Sequence, residues 1–302
     1  MRCGAGKLFD LMKLSVSTYS LARWRTENNR TLEDSIAWIA DAGVDGVEFS
    51  GSFSDDPKQA RKRAATMRKR CEKLGLRIPS FCVPAELLVP PSEQRKVVER
   101  LKHEVDVAEE LGVGSMRHDV TRGPNSTTVA KSFASVLKTV VPPIREIADY
   151  AQAKGIKTSL ENHGFYLQAS PRVKKLIDTV AHKNYGLTID LGNFLCVNEN
   201  CTDATRRLAK YVVMAHAKDF HVKPKKEMPA TGWFATPTNI ALRGAIAGHG
   251  VLDLPSQLKL LKQAGYEGFL SLEFEGMEEP TQAITLGLEY LRTTLKALSS
   301  RD

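Results

Sequence analysis

The sequence predicts a single-domain α/β protein, a (β/α)₈ TIM barrel, from three observations. Eight short β-like segments alternate with longer segments of helical periodicity, and such an alternation predicts a parallel sheet covered by helices. Eight strand–helix units in 302 residues fit a closed barrel better than an open, doubly wound sheet. No G-x-G-x-x-G follows the first strand, so the glycine signature of a dinucleotide-binding fold is missing. No linker divides residues 13–302, which we expect to form one barrel domain.

The first half of the sequence contains four strand–helix units. Its strand segments are KLSVSTYS, VDGVEFSG, LRIPSFCV and VGSMRHDV, and the helical segments after them are TLEDSIAWIADAG, residues 58–73, Ser92 to Leu111, and a long segment ending near Gly155. Thr31 and Asp34 have the spacing of a capping box at the start of the first helix, with Asp in place of the usual Glu. Pro142 and Pro143 lack backbone N–H groups and therefore predict a break in the fourth helical segment.

The second half continues the same alternation. Its strand segments are IKTSLENHG, YGLTIDLGN, YVVMAHAKDF and GFLSLEFEG, and its helical segments are SPRVKKLIDTVAHK, a short one near 203–210, LPSQLKLLKQAG, and a final one from about Pro280 to Leu298. Ser170 and Pro171 suit the N-cap and the first position of a helix. Residues 221–250 are too long for a simple turn, so we expect them to form a lid or rim insertion over the barrel mouth.

The composition restricts the class of protein. The apolar runs are far shorter than the roughly 20 residues of a membrane span, so no membrane association is expected. Residues 1–12 have an apolar part interrupted by Asp10, which predicts a disordered extension and not a signal peptide. The 5 cysteines are scattered without a C-x-x-C pair, so neither a disulfide framework nor a cysteine zinc cluster is expected. These features predict a cytoplasmic protein with reduced thiols.

The net charge of +8 comes largely from two basic segments, residues 58–73 and 223–227. Basic segments attract phosphate backbones and anionic substrates. However, residues 58–73 also have helical periodicity, and a solvated outer helix face explains their charge without a nucleic acid. We therefore expect a small-molecule partner and no nucleic acid.

Polar side chains stand at the carboxyl ends of the last four predicted strands, where the reactive groups of such a barrel lie. These strands end at Glu161, Asp190, His216 and Glu273. Because side chains alternate along a strand, one register turns all four into the barrel and turns the aliphatic residue before each of them toward the helices. Alone, each carboxylate could cap a helix and His216 could be a hydrogen-bonded core histidine. Their occurrence together favours a common site.

Three converging carboxylates repel one another unless a cation or a proton offsets their charge. With one imidazole they form an oxygen-rich ligand set for one divalent metal ion. This set suits Mn²⁺ best, with Mg²⁺, Co²⁺ and Zn²⁺ as alternatives. The sequence therefore predicts a single metal site formed by Glu161, Asp190, His216 and Glu273.

The segments SLENHG, LTIDLGNF, AHAKDF, GHGVLD and GYEGFLSLEFEG resemble the sugar phosphate isomerase/epimerase family of the xylose isomerase-like TIM barrels. The resemblance extends over most of the chain from KLSVSTYSL onward. It implies that Glu161, Asp190, His216 and Glu273 bind one divalent metal, and that Glu161 and Glu273 double as an acid/base pair. The chain departs from many members at Asn193, where they have a histidine three residues after the strand-six aspartate.

These observations predict a metal-dependent isomerase or epimerase acting on a sugar, ketose or cyclitol. A carboxylate removes a proton next to a metal-bound carbonyl, and the metal stabilises the enediolate. We expect substrate contacts from Glu48, Arg117, His163, Lys218 and His249. For Arg117 and Lys218, a salt bridge to Asp119 or Asp219 is the alternative. His249 lies between glycines, where a plain turn residue is equally expected.

Three other functions fit the same sequence. A lyase or dehydratase acting on an oxidised sugar, glycoside or inosose begins with the same proton abstraction, and His163 or His249 could then protonate the leaving group. An endonuclease for damaged DNA needs about three metals, and the imidazole is missing at Asn193. A non-catalytic sugar-binding barrel is the third. Assembly as a homo-oligomer is compatible with all of them.

Overall fold

The computed structural model describes residues 12–126, 128 and 130–300. Its strands are β1 (Lys13–Ser17), β2 (Gly46–Ser50), β3 (Phe81–Val83), β4 (Ser115–His118), β5 (Lys157–Glu161), β6 (Tyr185–Asp190), β7 (Val212–Ala217), β8 (Asp219–Pro224), β9 (Phe234–Ala235), β10 (Ile240–Ala245) and β11 (Phe269–Leu272). Its helices are α1 (Ala22–Glu27), α2 (Leu32–Asp41), α3 (Pro57–Lys73), α4 (Pro91–Leu111), α5 (Phe133–Gln152), α6 (Ser170–Val180), α7 (Cys201–Leu208), α8 (Leu254–Gln263) and α9 (Pro280–Ser299).

Eight parallel strands close into a barrel in the order β1, β2, β3, β4, β5, β6, β7, β11. Strand β11 pairs with both β7 and β1, which closes the ring. The predicted (β/α)₈ barrel is thus confirmed. The expected disordered extension falls almost entirely on residues 1–11, outside the described residues.

A second, smaller sheet stands at the carboxyl end of the barrel. Strands β8, β10 and β9 form it in this order, and both pairings are antiparallel. The predicted insertion at residues 221–250 contains most of this sheet. We call this three-stranded sheet the rim sheet. Its closure over the barrel mouth as a lid stays a prediction.

Side chains in the barrel alternate as the sequence indicates. Ser159 on β5 and Thr188 on β6 point into the barrel, where their hydroxyls share a hydrogen bond of 2.8 Å. Leu160, between Ser159 and Glu161, is buried in the core that packs against the helices. The interior of the barrel is therefore polar near the carboxyl ends, and the main hydrophobic core lies between the strands and the helices.

Local sequence signals explain the start of α2. Thr31 accepts a hydrogen bond from the Asp34 N–H at 3.1 Å, and Asp34 accepts one from the Thr31 N–H at 2.8 Å. This is the predicted capping box, and it satisfies two backbone donors that a helix start leaves free. At α6 the helix begins at Ser170 itself and its N-cap is Ala169, one residue earlier than expected.

The predicted break at Pro142 and Pro143 is wrong, because α5 continues through both prolines. A proline cannot donate to the carbonyl four residues before it, so Pro143 leaves the Thr139 carbonyl without its helical donor. The side chain of Gln94 on α4 donates to this oxygen at 3.3 Å. A neighbouring helix therefore supplies one of the missing hydrogen bonds.

The thiols and the helices in the described part of the chain bear on the predictions made from the composition. Cys71, Cys82, Cys196 and Cys201 are buried free thiols. Within residues 12–126, 128 and 130–300, no helix combines the length and the apolar character that crossing a membrane requires.

Glu104 on α4 provides a stability test away from the barrel mouth. Its buried carboxyl accepts a hydrogen bond from Ser52, and burial raises its pKa despite this bond and the nearby Arg100. The folded state therefore binds the Glu104 proton more tightly than the unfolded state. The free energy of unfolding consequently falls as the pH rises above about 4.3, the ordinary value for Glu.

We expect Glu104→Gln to stabilise the protein at pH 7.5 by about 1 kcal/mol, because a neutral amide is less costly to bury than a carboxylate. The gain should disappear near pH 4, where wild-type Glu104 is itself protonated. Thermal unfolding at the two pH values measures it, with Glu289→Gln on the exposed side of α9 as the control. An equal effect of Glu104→Gln at both pH values would contradict the expectation.

Candidate metal centre and active site

A cavity of about 580 Å³ opens at the carboxyl end of the barrel. Among the residues that line it are Arg117, Glu161, His163, Lys218, Glu273 and Glu275. The barrel strands bring these side chains together from positions far apart in the chain. The cavity lies where the reactive groups of a (β/α)₈ barrel are expected.

The four predicted metal ligands meet at the floor of this cavity. Each of Glu161, Asp190, His216 and Glu273 is buried, and each offers a ligand atom within 4.8 Å of the others. Asp190 pairs with His216 across β6 and β7, and Glu273 follows directly after β11. In the register of the neighbouring strands, Glu161 lies beside Thr188 and His216 lies beside Ser271, so the reach of the side chains completes the cluster.

His216 is held from behind by Glu48. The imidazole Nε2 lies 3.1 Å from Oε1 and 3.0 Å from Oε2 of Glu48, and both residues are fully buried. A carboxylate only accepts, so Nε2 carries the proton. The Nδ1 atom then faces the cluster, 3.5 Å from Glu273 Oε1 and 3.8 Å from Glu161 Oε1, without a hydrogen-bond partner.

Cys82 adds a second donor to Glu48. Its thiol lies 3.4 Å from Glu48 Oε1, and burial raises the pKa of this thiol to about 11. The sulfur is therefore protonated near neutral pH and donates to the carboxylate. Glu48 and Cys82 together form a buried support beneath the imidazole.

Glu161 and Asp190 are fixed by separate sets of donors. Arg117 Nη2 contacts Glu161 Oε2 at 3.0 Å, and the Asn193 side-chain amide donates to Glu161 Oε1 at 3.2 Å. The backbone N–H groups of Gly192 and Asn193 donate to Asp190 Oδ1 at 2.8 and 2.9 Å. Asn193, where many family members have histidine, thus connects two of the candidate ligands.

Lys218 lies among three carboxylates. Its Nζ is 3.2 Å from Asp190 Oδ2, 2.9 Å from Glu273 Oε2 and 3.0 Å from Glu275 Oε2. The Tyr19 hydroxyl donates to the other oxygen of Glu275. The carboxylates therefore already have a protein cation beside them, a contact between strands that local sequence patterns do not predict. The salt bridge considered for Lys218 with Asp219 is not the one formed, because Asp219 accepts backbone N–H groups of Gly248 and Gly250.

Arg117, Asp119 and His163 form a second group on the cavity wall. Asp119 Oδ1 lies 2.6 Å from Arg117 Nη1 and 2.6 Å from His163 Nε2. Arg117 therefore makes the alternative salt bridge to Asp119 while it also contacts Glu161. His163 donates to Asp119, and about 38% of its side chain is accessible to solvent.

Burial and neighbouring charges shift the pKa values of these groups in different directions. For Glu161, burial raises the pKa, but Arg117 and His216 outweigh it and the pKa lies well below its ordinary value. For Glu273, burial raises the pKa and Lys218 opposes this only in part. For His163, burial lowers the pKa, but Asp119 and Glu161 together raise it by more, so the net shift is upward. Carboxylates with different environments are typical of catalytic sites.

Two of the expected substrate contacts lie elsewhere. Glu48 is completely buried behind His216, so it meets the imidazole and not the cavity. His249 is exposed in the turn after β10, where its N–H donates to the Ile246 carbonyl. Arg117, His163 and Lys218 line the cavity as expected, although their roles toward a substrate stay predictions.

Tyr19 lines the cavity but was not among the predicted site residues, and Asp119, also in the cavity wall, was considered only as a salt-bridge partner. Each follows the end of a barrel strand by one or two residues, after β1 and β4. Applying the strand-end rule to the first four strands, as to the last four, gives a signal for both residues.

The residues present fit one divalent ion. His216 Nδ1 is a buried ring nitrogen without a hydrogen-bond partner, directed at two carboxylates. Its tautomer is set by a carboxylate on the opposite nitrogen, which is the usual support of a histidine ligand. Three carboxylates complete a set of oxygen and nitrogen donors.

The fold and the site define a (β/α)₈ barrel protein with a candidate metal centre at the carboxyl ends of β5, β6, β7 and β11. Residues 36–294 match the sequence profile of the xylose isomerase-like TIM barrel family. The chain belongs to this family.

Known proteins similar to the chain include enzymes of inosose metabolism. The inosose dehydratase of Geobacillus thermodenitrificans is 23% identical over 276 residues, covering 87% of this chain and 90% of the relative. The inosose isomerase of Halalkalibacterium halodurans is 22% identical over 143 residues, covering 46% and 47%. The crystal structure of the IolI protein with a zinc atom superposes with a TM-score of 0.74 at 17% identity, covering 95% of this chain and 99% of that one.

Glu48 gives a direct test of the support beneath the imidazole. We expect Glu48→Gln to weaken divalent-metal affinity about 10- to 100-fold, because the amide no longer enforces the Nε2-protonated tautomer of His216. Titration with Mn²⁺ or Zn²⁺ measures the affinity. The matched control is Glu104→Gln, which replaces a buried carboxylate outside the barrel mouth. Equal affinities of the Glu48→Gln variant and the wild type would contradict this role.

Proposed function

We propose that this protein is a divalent-metal-dependent enzyme that removes a proton next to the carbonyl of a sugar, ketose or cyclitol and thereby isomerises or epimerises it. The observation that carries the proposal is the meeting of Glu161, Asp190, His216 and Glu273 at the floor of an open cavity. A divalent ion held by these side chains polarises a carbonyl and stabilises negative charge on the substrate oxygens. The donor set favours Mn²⁺, with Mg²⁺, Co²⁺ and Zn²⁺ as alternatives.

Glu273 is the residue to which we assign proton abstraction. It lines the cavity, and its Oε2 is held by Lys218 at 2.9 Å. Its side chain is buried beside the cavity, where a carboxylate of this kind can act as a general base toward a bound substrate. Lys218 orients this carboxylate and, through Glu275, is tied to Tyr19.

Glu161 differs from Glu273 in its contacts. Both of its oxygens accept from donors, Arg117 and Asn193, which hold the group in its ionised form. This supports a route in which Glu273 takes the proton from one carbon and returns it to the neighbouring carbon, while the hydroxyl proton passes to the former carbonyl oxygen, so that the carbonyl moves by one carbon. Inversion at one carbon requires a second acid on the opposite face, and Glu161 is the family's residue for that step.

Dehydration of a keto sugar or inosose is the second candidate, and the His163–Asp119 pair favours it. In this reaction Glu273 removes the proton next to the carbonyl, the C–O bond at the adjacent carbon breaks, and His163 donates its proton to the leaving hydroxide. Water and an unsaturated ketone are the products. The similarity to inosose dehydratases supports this alternative.

One experiment distinguishes the two reactions. The Mn²⁺-loaded protein is incubated in D₂O with a panel of ketoses, 3-keto-glycosides and inososes, and the products are followed by NMR and by the absorbance of conjugated ketones. Deuterium next to the carbonyl of a rearranged sugar supports isomerisation or epimerisation. An unsaturated ketone supports dehydration. If no substrate exchanges a proton although the metal is bound, the enzymatic proposal fails.

Cellular context completes the proposal. We infer a cytoplasmic enzyme with a small carbohydrate as its partner; assembly as a homo-oligomer is compatible with this function. Buried reduced thiols at Cys71, Cys82, Cys196 and Cys201 support an intracellular location. No nucleic acid enters the proposed reaction.

A further inference from the structure

Exposed aromatic rings stand around the mouth of the cavity. Tyr19, Phe165 and Phe234 have relative exposures of 45%, 44% and 39%, and all three line the cavity. They come from the end of β1, the loop after β5 and the rim sheet. A charged floor is thus combined with an aromatic entrance. Single exposed apolar residues are common on protein surfaces, but here three aromatic rings surround one cavity.

Phe165 is held in an unusual backbone conformation. Its φ of 65° lies in the left-handed region, which non-glycine residues with bulky side chains rarely adopt. Its N–H donates to the buried Gln168 side chain at 2.6 Å, and Gln168 in turn donates to the Asn193 carbonyl. A buried amide therefore fixes the strained loop next to the candidate metal centre. Strain of this kind persists where the surrounding structure fixes the loop, and it often marks a binding site.

The Phe165 loop stands between two cavities. The second cavity, of about 860 Å³, shares with the first a wall formed by Pro84, Asp119, Glu161, His163, Gly164 and Phe165. Glu161 and His163 therefore border both cavities. The first cavity alone falls in the range of about 300–1,000 Å³ that is typical for drug-sized ligands.

Phe234 faces the cavity from the rim sheet in a fixed orientation. Its ring packs edge-on against the buried ring of Phe220, with centroids 6.1 Å apart and planes at 75°. The pair Leu242 and Phe234 joins β10 to β9. A ring supported in this way presents its other surface to a ligand with little loss of side-chain freedom.

From these observations, and on the basis of the proposed function, we infer that the substrate is an aryl glycoside-like molecule: a sugar ring that carries an aromatic substituent. The sugar lies on the charged floor, and the substituent packs against Phe165 and Phe234 at the entrance. Aromatic pairs favour offset-stacked or edge-to-face contacts, which the exposed rings offer to an aromatic group. Phe165 and Phe234 are then determinants of specificity and not catalytic residues.

Calorimetry with the Mn²⁺-loaded protein tests the inference by binding alone. The probes are 4-nitrophenyl and methyl β-glucosides and the corresponding β-galactosides. We expect the 4-nitrophenyl glycoside of at least one sugar to bind about 10-fold more tightly than its methyl counterpart. Phe165→Asn removes the ring but keeps a residue that tolerates the left-handed conformation. It should abolish the preference and leave the affinity for the methyl glycoside unchanged.

Phe234→Leu keeps an apolar side chain and should reduce the preference only in part. Equal binding of aryl and methyl glycosides by the wild type, or no binding of either at millimolar concentration, overturns the inference. Equal weakening of both probes by Phe165→Asn also overturns it, since the residue then only shapes the loop. If Phe165→Asn dissociates an oligomer without changing the preference, a second copy of the chain occupies the entrance and the inference is wrong.

The outcome is separable from that of the proposed function. An aryl preference that depends on Phe165, in a protein that exchanges no proton on any keto sugar, supports the substituent site and removes the proposed chemistry. Proton exchange on simple ketoses without an aryl preference supports the proposed chemistry and overturns the aromatic-substituent site.

Discussion

Replacement of Glu273 by Gln is expected to lower the rate of deuterium exchange about 10³-fold or more, because the amide cannot accept the substrate proton. General base catalysis contributes about 10²- to 10⁴-fold, and Glu273 also belongs to the cluster of metal-ligand atoms. The hydrogen bond between Lys218 and the Oε2 position can be kept if the amide oxygen points to the ammonium group. The measurement is exchange in D₂O at saturating Mn²⁺, with metal content determined in parallel.

Glu275→Gln is the matched control for this variant. Glu275 lies two residues after Glu273 and also contacts Lys218, but it lies outside the four-residue cluster. We expect its replacement to change the rate much less and to leave the metal content unchanged. If both variants lose activity equally, the assignment of the base to Glu273 is wrong. If Glu273→Gln exchanges at the wild-type rate, proton abstraction belongs to another residue.

Replacement of His216 by Asn is expected to weaken divalent-metal binding by more than about 100-fold, beyond the 10- to 100-fold typical of supporting residues. Asn removes the Nδ1 atom that faces Glu161 and Glu273, and leaves Glu48 buried without its principal donor. A buried carboxylate that keeps only the weak thiol donor of Cys82 also lowers stability. Metal content after gel filtration and the dissociation constant for Zn²⁺ or Mn²⁺ measure the effect, and thermal unfolding follows the stability.

His118→Asn separates loss of a ligand from loss of a buried histidine. His118 is also fully buried, but it points to the other face of β4 from Arg117, and its Nδ1 contacts the Asp119 carbonyl. We expect this control to change stability and to keep one metal per chain. Normal metal binding by the His216→Asn variant would remove the basis of the proposed centre.

The alternation of strands and helices made the barrel predictable from the sequence. It depends on residues close together in the chain, and each unit carries its own pattern of burial. The same holds for the capping box at Thr31 and Asp34, which lies within one helical turn. The continuation of α5 through Pro142 and Pro143 was not predictable in this way, because one of the missing hydrogen bonds is replaced by Gln94 from another helix.

The four candidate ligands were predictable because the end of a strand, and the face of the sheet to which each side chain points, can be read from the local sequence. The rule that reactive groups of such barrels lie at the carboxyl ends of the strands then places them in one site. Glu48 follows the same parity and still does not reach the cavity. It lies in the middle of β2, two residues before the strand ends at Ser50, and its carboxylate is buried against the imidazole of His216. His249 is also not a cavity residue, but for a different reason. Asp219 accepts the backbone N–H groups of the two glycines beside it, so the segment is a structural turn.

The sequence by itself determined the fold, the barrel end that carries the site and the identity of the four converging side chains, since all three follow from periodicity and residue type along single segments. Only the tertiary structure decided which groups surround them. Lys218 contacts Asp190, Glu273 and Glu275; Glu48 supports His216; and Phe165 lies between two cavities. These contacts join residues from different strands and loops, and their distances depend on barrel closure and side-chain packing, which a single segment does not encode.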